Sequence, residues 1–220
     1  MGHPRPSLPL PGAGPELSTP RSGAAAALAL FLHAPRLGTV KPRLAAEIGD
    51  RHALRLYRIM VARTLAAARE AGLEITIWYA PSDAGPEMRY WLGEGCHLRP
   101  QASGDRGVRL GAAARAAEPD RAWLALVGDC PGLEAALLRE AATIAERGEA
   151  VIGPTVDGGY YLIGGMPPLP DVFTAMPWRS DRLLAETRAR LAHVGVVWHE
   201  LPPLTVVDTI EDAKAERLLT

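Results

Sequence analysis

The residues best able to do chemistry lie in loops that follow apolar, strand-like segments. The first such loop, residues 34–44, reads APRLGTVKPRL and holds Arg36, Lys41 and Arg43. Three cations directed at one spot suit a di- or triphosphate. The loop is neither a P-loop nor a dinucleotide-binding fingerprint, because GxxxxGK[ST] and GxGxxG are both absent. These residues alone leave open whether the loop binds phosphate or is only a solvated basic loop.

A single acidic residue follows a continuous apolar run. Asp129 stands in the sequence VGDCPGL, directly after AWLALV at residues 122–127. The carboxyl end of a buried parallel strand faces the ligand crevice of a sheet. A carboxylate there is a natural ligand for Mg²⁺ or Mn²⁺, which typically bridges phosphates. The alternative is that Asp129 only caps a helix beginning near Pro131.

The segment GPTVDGGYYLIG, residues 153–164, combines an acid, two glycines and two tyrosines. Asp-Gly-Gly between two strands is typical of a hairpin turn. The same glycines would also let a sugar or base approach the backbone closely, with Asp157 accepting from its hydroxyls. Both interpretations stay open.

A fourth acidic segment, VVDTIED, lies near the end of the chain at residues 206–212. Asp208 with Glu211, or Thr209 with Asp212, has the spacing of a helix cap and its partner acid. Asp208 is therefore either a cap or a metal ligand.

Strand-like and helical segments alternate along the chain and would position these loops. A helix from about Arg51 to Ala71, with Asp50 as its candidate N-cap, follows the first loop, and the last helix covers Thr209 to Leu219. This alternation predicts an α/β fold with a mainly parallel sheet and helices on both faces. The predicted strands are 27–33, 73–79, 96–99, 122–127, 150–153, 160–164 and 194–199.

The amino end of the chain has a different composition. Residues 1–23 are rich in proline, glycine and serine, which predicts a disordered tail, and residues 24–220 are predicted to form a single domain. The apolar run Ala24 to Leu32 is shorter than the roughly 20 residues of a membrane span. It is better interpreted as part of a buried first strand, so no membrane span is expected.

Composition narrows the class of protein. The 220 residues carry 24 Lys and Arg against 25 Asp and Glu, a formal net charge of -1, which argues against nucleic acid as a main partner. Cys96 and Cys130 cannot form a disulfide framework or a zinc site, and a reducing, cytoplasmic setting is expected. Lys41 and Lys214 are the only lysines in the sequence, so a lysine in the basic loop is notable.

Five segments in order resemble one known family: APRLGTVKPRL, GDCPGL, GPTVDGGYYLIG, MPWRS and LPPLTVVDTIED. Together they look like the bacterial glycosyltransferase-like family of the domain of unknown function 2064 (DUF2064), from about residue 28 to the end. That family belongs to the nucleotide-diphospho-sugar transferases. The resemblance implies a Rossmann-like GT-A fold, with a twisted, mostly parallel sheet that binds a nucleotide. The chain is more distantly similar to 2-phospho-lactate guanylyltransferase.

The resemblance also implies roles for single residues. Gly38, Lys41 and Arg43 fall on the family's GxVKTRL phosphate loop, which Pro35 precedes. Asp129 falls on the acid of the SDCPGL or TDCPGL motif, the expected metal ligand. Asp208 falls on the VDTPED acid, which is a metal ligand in the nucleotidyltransferase relatives.

The family's DGGYYLIG loop is expected to line the pocket for the acceptor or the sugar. The resemblance thus implies Lys41, Asp129 and Asp157 as catalytic residues. The implied substrate-binding residues are Asp157, Gly158, Gly159 and Tyr160.

The sequence departs from the family pattern at several positions. Pro42 replaces a threonine of the phosphate loop, Gly128 replaces the usual serine or threonine, and His33 stands where lysine is frequent. The two-aspartate DxD motif of GT-A glycosyltransferases is also missing, so a second metal ligand must come from a distant segment. Asp208 is the best candidate.

Three functions follow from these observations. The first is a glycosyltransferase that depends on Mg²⁺ or Mn²⁺ and uses a nucleotide-diphosphate sugar with a small-molecule acceptor. The second is a nucleotidyltransferase that transfers a nucleoside monophosphate from a triphosphate to a phosphorylated small molecule and releases pyrophosphate. The third, motivated by Pro42 and Gly128, is a module that binds nucleotide without turnover.

Overall fold

A computed structural model describes residues 26–167, 171–178 and 180–219. Within these residues seven strands alternate with seven helices. The strands are β1 (Ala27–His33), β2 (Glu74–Ala80), β3 (His97–Pro100), β4 (Trp123–Val127), β5 (Ala150–Pro154), β6 (Tyr160–Gly165) and β7 (Trp198–Glu200). The helices are α1 (Pro42–Ile48), α2 (Asp50–Glu70), α3 (Gly85–Leu92), α4 (Arg106–Arg115), α5 (Ala135–Glu146), α6 (Leu183–His193) and α7 (Ile210–Ala215).

All seven strands form one sheet in the order β3-β2-β1-β4-β6-β5-β7. β1 pairs in parallel with both β2 and β4, and β2 pairs in parallel with β3. β6 is antiparallel to β4 and β5, whereas β5 and β7 are parallel. The predicted α/β fold with a mostly parallel sheet is confirmed, with β6 as the reversed strand.

Successive strand residues point to opposite faces of the sheet, and both faces are buried. Leu28, Leu30 and Leu32 of β1 belong to the core that includes residues of α2 and α5. Ala29 belongs to the opposite core, which includes residues of α4 and α6. Helices therefore cover both faces, as the alternating pattern predicted.

The predicted elements agree with the observed ones apart from their ends. The candidate N-cap Asp50 is instead the first residue of α2, and Gly49 is the N-cap. The short helix α1 was not predicted, because its seven residues follow Lys41 inside a segment that reads as a basic loop. The structure has no helix, among its described residues, that could cross a membrane. The predicted tail at residues 1–23 lies outside the described residues, and the single domain stays a prediction.

Candidate functional site

The candidate site lies where the direction of strand order changes. From β1 the chain passes outward to β2 and β3, and it then returns to β4 on the other side of β1. Loops that follow the two central strands diverge at such a point and leave a crevice at the carboxyl edge. The loop after β1 carries Lys41, and the loop after β4 carries Asp129. The register pairs Phe31 with Val127, which places both loops at the same level.

Lys41 is held in a defined position at the start of α1. It is the N-cap residue and has a left-handed backbone, with φ of 51° and ψ of 56°. Pro42 follows as the first residue of the helix, a favourable place for proline because its fixed φ suits the helix and its missing N–H has no helical partner there. The side chain of Lys41 is only 7% exposed. The turn therefore buries an ammonium group at the edge of the sheet.

Two carboxylates from distant parts of the chain contact this ammonium. Lys41 Nζ donates to Asp129 Oδ2 and, at 2.8 Å, to Asp208 Oδ1. The loops that carry the two aspartates are joined directly, since the backbone N–H of Val207 donates to the carbonyl of Asp129 at 3.2 Å. The arrangement brings together residues separated by 167 positions.

The capping alternatives for these two aspartates are wrong. α5 begins at Ala135 with Glu134 as its N-cap, so Asp129 caps no helix. At the start of α7, Thr209 is the N-cap and forms a capping box with Asp212. Of the two predicted cap spacings, the pair Thr209 and Asp212 is therefore the one that forms, and the carboxylate of Asp208 remains available to Lys41.

The two carboxylates determine the charge state of Lys41. Burial lowers the pKa of Lys41, but the charges of Asp129 and Asp208 outweigh burial and hold that pKa above its ordinary value. Asp129 is 20% exposed and Asp208 is 50% exposed. Lys41 therefore stays protonated, and Asp208 presents the more accessible carboxylate.

The two carboxylates suit a divalent cation in number and position. Carboxylate oxygens from Asp129 and Asp208 converge on one point that a cation, Lys41 Nζ, already occupies. Mg²⁺ in proteins is often held by one or two carboxylates together with water and substrate phosphates. The described residues contain no group of three acidic, His or Cys ligands. The pair fits a metal that is shared with a bound phosphate.

The remaining residues of the phosphate loop differ in their surroundings. Arg36 Nε donates to Glu87 Oε2 at 2.8 Å, which ties the loop to α3. Gly38 lies at the exposed tip with a positive φ of 75°, beside the carboxylate of Asp50. Pro35 is buried, whereas Arg43 is exposed on the first turn of α1.

Arg43 faces the loop that carries Asp208. Burial raises the pKa of Asp212, but hydrogen bonds from backbone N–H groups and the charge of Arg43 lower it below its ordinary value. Lys41 is thus brought to both predicted metal ligands, while Arg43 lies beside α7. A nucleotide-binding role for these loop residues stays a prediction.

Asp157 occupies the turn between the antiparallel strands β5 and β6. Its Oδ1 accepts from Thr155 Oγ1 and, at 3.4 Å, from the N–H of Gly159. The hairpin interpretation therefore describes this segment, and local hydrogen bonds engage the exposed carboxylate. Gly158 has a φ of 86°, and a Cβ atom on it would collide with the carbonyl of Asp181. A role of Asp157 in substrate binding or catalysis stays a prediction.

Sequence reasoning missed a polar network on the α4 side of the same edge. Gln101 Nε2 donates to the carbonyls of Leu32 at 3.1 Å and Trp78 at 2.8 Å, at the ends of β1 and β2. Arg109 Nη1 donates to Gln101 Oε1 at 3.2 Å. The signal available in the sequence was a glutamine directly after β3, followed by two arginines at helical spacing in α4.

The end of β1 is also fixed by Tyr57 of α2. Tyr57 Oη donates to the carbonyl of His33 and accepts from its N–H, both at 2.9 Å. Desolvation lowers the pKa of His33, and the charges of Arg109, Lys41 and Arg106 lower it further, while Asp129 opposes them. His33 therefore lies among several cations at this edge.

Cys130 is excluded as a nucleophile by its surroundings. It is buried beside Asp129, and burial followed by the charges of Asp129 and Glu216 raises the pKa of its thiol to about 12. A thiol with such a pKa is not ionised at neutral pH.

The substitution at Gly128 has a structural reason. A Cβ atom on Gly128 would collide with Leu32 Cδ2 and approach Val61 Cγ2 to 3.3 Å. Leu32 thus fills the space that the family's serine or threonine would need. Gly128 and Pro42 are both accommodated by this fold and leave the Lys41–Asp129 contact in place.

Comparison with known proteins supports this assignment of the fold. A search of curated proteins finds no match. A candidate nucleotide-diphospho-sugar transferase from Desulfovibrio desulfuricans G20 is 27% identical, with 88% of this chain and 86% of that chain covered and a TM-score of 0.82. Rv0371c from Mycobacterium tuberculosis H37Rv, in complex with manganese, is 18% identical over 89% and 100% of the chains, with a TM-score of 0.56.

The inositol-1-phosphate CTP transferase from T. maritima has the same fold, with 13% identity over 89% of this chain and 95% of that chain and a TM-score of 0.59. The expectation of a GT-A, nucleotide-diphospho-sugar transferase fold is confirmed, and an enzyme of the transferase class agrees with these neighbours. Residues 63–180 match the model of a family described as an uncharacterized protein conserved in bacteria. The chain therefore belongs to the DUF2064 family.

Proposed function

We propose that this protein is a glycosyltransferase that depends on Mg²⁺ or Mn²⁺ and uses a nucleotide-diphosphate sugar. The observation that carries the proposal is the convergence of Lys41, Asp129 and Asp208 at the crevice between the loops after β1 and β4. Ligands of α/β sheets bind at this kind of position. The similarity to the candidate nucleotide-diphospho-sugar transferase of D. desulfuricans gives independent support.

In this function Lys41 exchanges its carboxylate partners for phosphate oxygens. Its ammonium is a compact point charge with three donors, which suits an oxygen of a diphosphate. Asp129 and Asp208, once released from Lys41, would hold the metal. When bound, that metal neutralises negative charge on the departing diphosphate.

The other residues of the basic loop shape the nucleotide site. Arg43 adds a second positive charge for the diphosphate, while Pro35 and Gly38 let the backbone of the loop pass close to the nucleotide. On the far side of the crevice, Asp157, Gly158, Gly159 and Tyr160 are proposed to line the pocket for the sugar or acceptor. Asp157 has the further proposed role of accepting a hydrogen bond, or a proton, from an acceptor hydroxyl.

A nucleotidyltransferase is the second candidate. The fold shared with the inositol-1-phosphate CTP transferase favours it, because the name of that enzyme pairs a nucleoside triphosphate with a phosphorylated acceptor. Lys41 between two carboxylates suits a triphosphate as well as a diphosphate. The two candidates share the nucleotide and metal site and differ in the leaving group.

Identification of the leaving group separates the candidates. The protein is incubated with Mn²⁺ and a panel of sugar nucleotides, or of nucleoside triphosphates with phosphorylated acceptors. Release of nucleoside diphosphate supports the glycosyltransferase, and release of pyrophosphate supports the nucleotidyltransferase. Asp129→Asn should abolish either product, and Lys214→Met is the control for general damage.

Binding without any product would support the third possibility, a nucleotide-binding module. Thermal stabilisation by nucleotide that requires Mn²⁺ in the wild type and disappears in Asp129→Asn would still place the ligand at this site. No stabilisation by any nucleotide would contradict all three functions. The partners proposed for this protein are a nucleotide or sugar nucleotide and a small-molecule acceptor. The proposed location is the cytoplasm.

A further inference from the structure

A second group of polar side chains lies at the same sheet edge, on the α4 side. The register of β1 and β4 pairs residues 31 and 127, so that His33 is level with Asp129. β6 runs the other way, and its pairing of Leu162 with Leu126 places Tyr160 level with Gly128. His33 and Tyr160 therefore flank the end of β4.

Arg106 of helix α4 lies on the side of the helix that faces these residues. Arg106, Leu110 and Ala113 are spaced at i, i+4 and i+7 and share one helical face. Leu110 and Ala113 are buried in the core that α4 forms with the sheet, so this face points at the sheet. Arg106, in the first turn, is exposed where the sheet ends.

Arg109 is tied to the same position by hydrogen bonds. Its Nη1 donates to Gln101 Oε1, and Gln101 Nε2 donates to the carbonyl of Leu32, the residue before His33. Arg109 also donates through Nε to the carbonyl of Gly104 at 3.0 Å. Two successive hydrogen bonds, through Gln101, therefore link the guanidinium of Arg109 to the end of β1.

Two buried donors without partners lie beside these cations. Of the described residues, Tyr160 Oη and Trp178 Nε1 are the buried side-chain N or O atoms that make no hydrogen bond. Tyr160 is 6% exposed, and its ring packs edge-on against Trp178 with centroids 6.3 Å apart. A Cβ atom on Gly107, the neighbour of Arg106, would lie 3.0 Å from Trp178 Nε1.

Buried donors without partners carry a free-energy cost that a ligand acceptor would remove. Two guanidinium groups, an imidazole, a hydroxyl and an indole N–H all donate hydrogen bonds, and two of these groups are permanently charged. Such a set fits a tetrahedral phosphate with several acceptor oxygens better than a planar carboxylate with two. The charge of Arg106 acts on both His33 and Tyr160, which supports their common location.

We propose that His33, Arg106 and Arg109, with the hydroxyl of Tyr160 and the indole N–H of Trp178, form an anion subsite that binds a phosphate monoester on the acceptor. This inference rests on the proposed function, because it treats the crevice beside Asp129 as the place of transfer. It adds the chemical class of the acceptor to the proposed glycosyltransferase and gives a location to the phosphorylated acceptor of the nucleotidyltransferase candidate.

Inorganic phosphate is the probe, titrated into the full chain without nucleotide or metal. Binding is measured by calorimetry and by the ring resonances of His33, which are assigned with His33→Gln. We expect Arg106→Gln to weaken phosphate binding by about tenfold, the effect of losing one charge-assisted hydrogen bond. Tyr160→Phe should weaken it less, Arg106→Lys should restore part of it, and Arg115→Gln, elsewhere on α4, should leave it unchanged.

Three results would overturn the proposal. They are a wild-type protein that does not bind phosphate, binding that survives Arg106→Gln but is lost in Lys41→Met, and acetate that binds as well as phosphate. The His33 resonances report on the subsite directly. Phosphate that binds at Lys41 and not at the subsite is therefore recognised, even if one variant folds poorly. Failure of the proposed function would instead appear as absent nucleotide binding, which this titration does not involve.

Discussion

Replacing Lys41 by methionine tests the central contact of the candidate site. Methionine keeps much of the length of lysine and removes the charge, so Asp129 and Asp208 lose their common partner. The free energy of unfolding of the metal-free protein should fall. Urea denaturation at neutral pH in the presence of a chelator measures that change.

The size of the loss follows from the burial of the three groups. Removing one member of a fully buried ion pair costs about 3–5 kcal/mol, whereas an exposed pair contributes about 0–1 kcal/mol. Lys41 is 7% exposed, Asp129 is 20% exposed and Asp208 is 50% exposed. The contact with Asp129 is nearer the first limit and the contact with Asp208 nearer the second, so we expect a loss of about 2–3 kcal/mol.

The same variant should bind Mn²⁺ more tightly in the absence of nucleotide. In the wild type the ammonium of Lys41 occupies the point on which the two carboxylates converge, so a metal must displace it. We expect the dissociation constant of Mn²⁺ to fall by about tenfold or more in Lys41→Met, equivalent to about 1.4 kcal/mol. Calorimetry or the relaxation of water protons measures the constant.

The controls separate this reasoning from general damage to the protein. Lys214→Met makes the same chemical change at an exposed lysine of α7 and should alter neither stability nor Mn²⁺ affinity. Adding Asp129→Asn to Lys41→Met should restore stability, since it removes an uncompensated charge. An unchanged Mn²⁺ affinity in Lys41→Met, or a double variant less stable than the single one, would refute the shared site.

Three further variants test the surroundings of the site. Gly128→Ser should lower the free energy of unfolding by about 1–3 kcal/mol, because the new side chain collides with Leu32. Leu32→Ala should lower it less in the Gly128→Ser background than in the wild type, as a double-mutant cycle of urea denaturations would show. Tyr160→Phe should stabilise the ligand-free protein by about 1 kcal/mol in thermal or chemical unfolding, because it removes a buried hydroxyl without a partner, and destabilisation would contradict that view. The folded protein holds the pKa of His33 below its ordinary value of 6.5, so the unfolded chain binds more protons than the folded one as the pH falls below 6.5. The free energy of unfolding should therefore decrease over this pH range. His33→Gln should lessen that decrease, as unfolding curves measured across the range would show.

The sequence was sufficient for the elements other than α1 and for placing Lys41 and Asp129 in loops at one edge of the sheet. Apolar runs such as AWLALV mark strands that are buried on both faces, and the loops after them must meet at one edge. Lys41 and Asp129 follow neighbouring strands, so their proximity is a consequence of the fold. Asp208 was found through the family resemblance, because its own spacing is equally typical of a helix cap.

The α4 side of the edge could not be predicted, because its contacts depend on register and not on motifs. Gln101 reaches the ends of β1 and β2 because β3 stops at Pro100, directly beside β2. Tyr160 lies beside the end of β4 because β6 runs antiparallel to it. A single apolar pattern is compatible with either strand direction, so these contacts appear only once the sheet is assembled.

The central position of β1 explains why Lys41 and His33 share one edge of the sheet. β1 is the strand at which the order reverses, so its loop turns towards the α1 side and delivers Lys41, while the end of β1 itself carries His33 towards α4. Because side chains alternate along β1, His33 points to the same face as Ala29, on the α4 side, whereas Lys41 lies beyond the strand on the α1 side. Asp129 lies on the neighbouring strand end at the level of His33 and contacts Lys41. A nucleotide on the α1 side and an acceptor on the α4 side would then meet at this carboxylate, which is the geometry that a transfer between them requires.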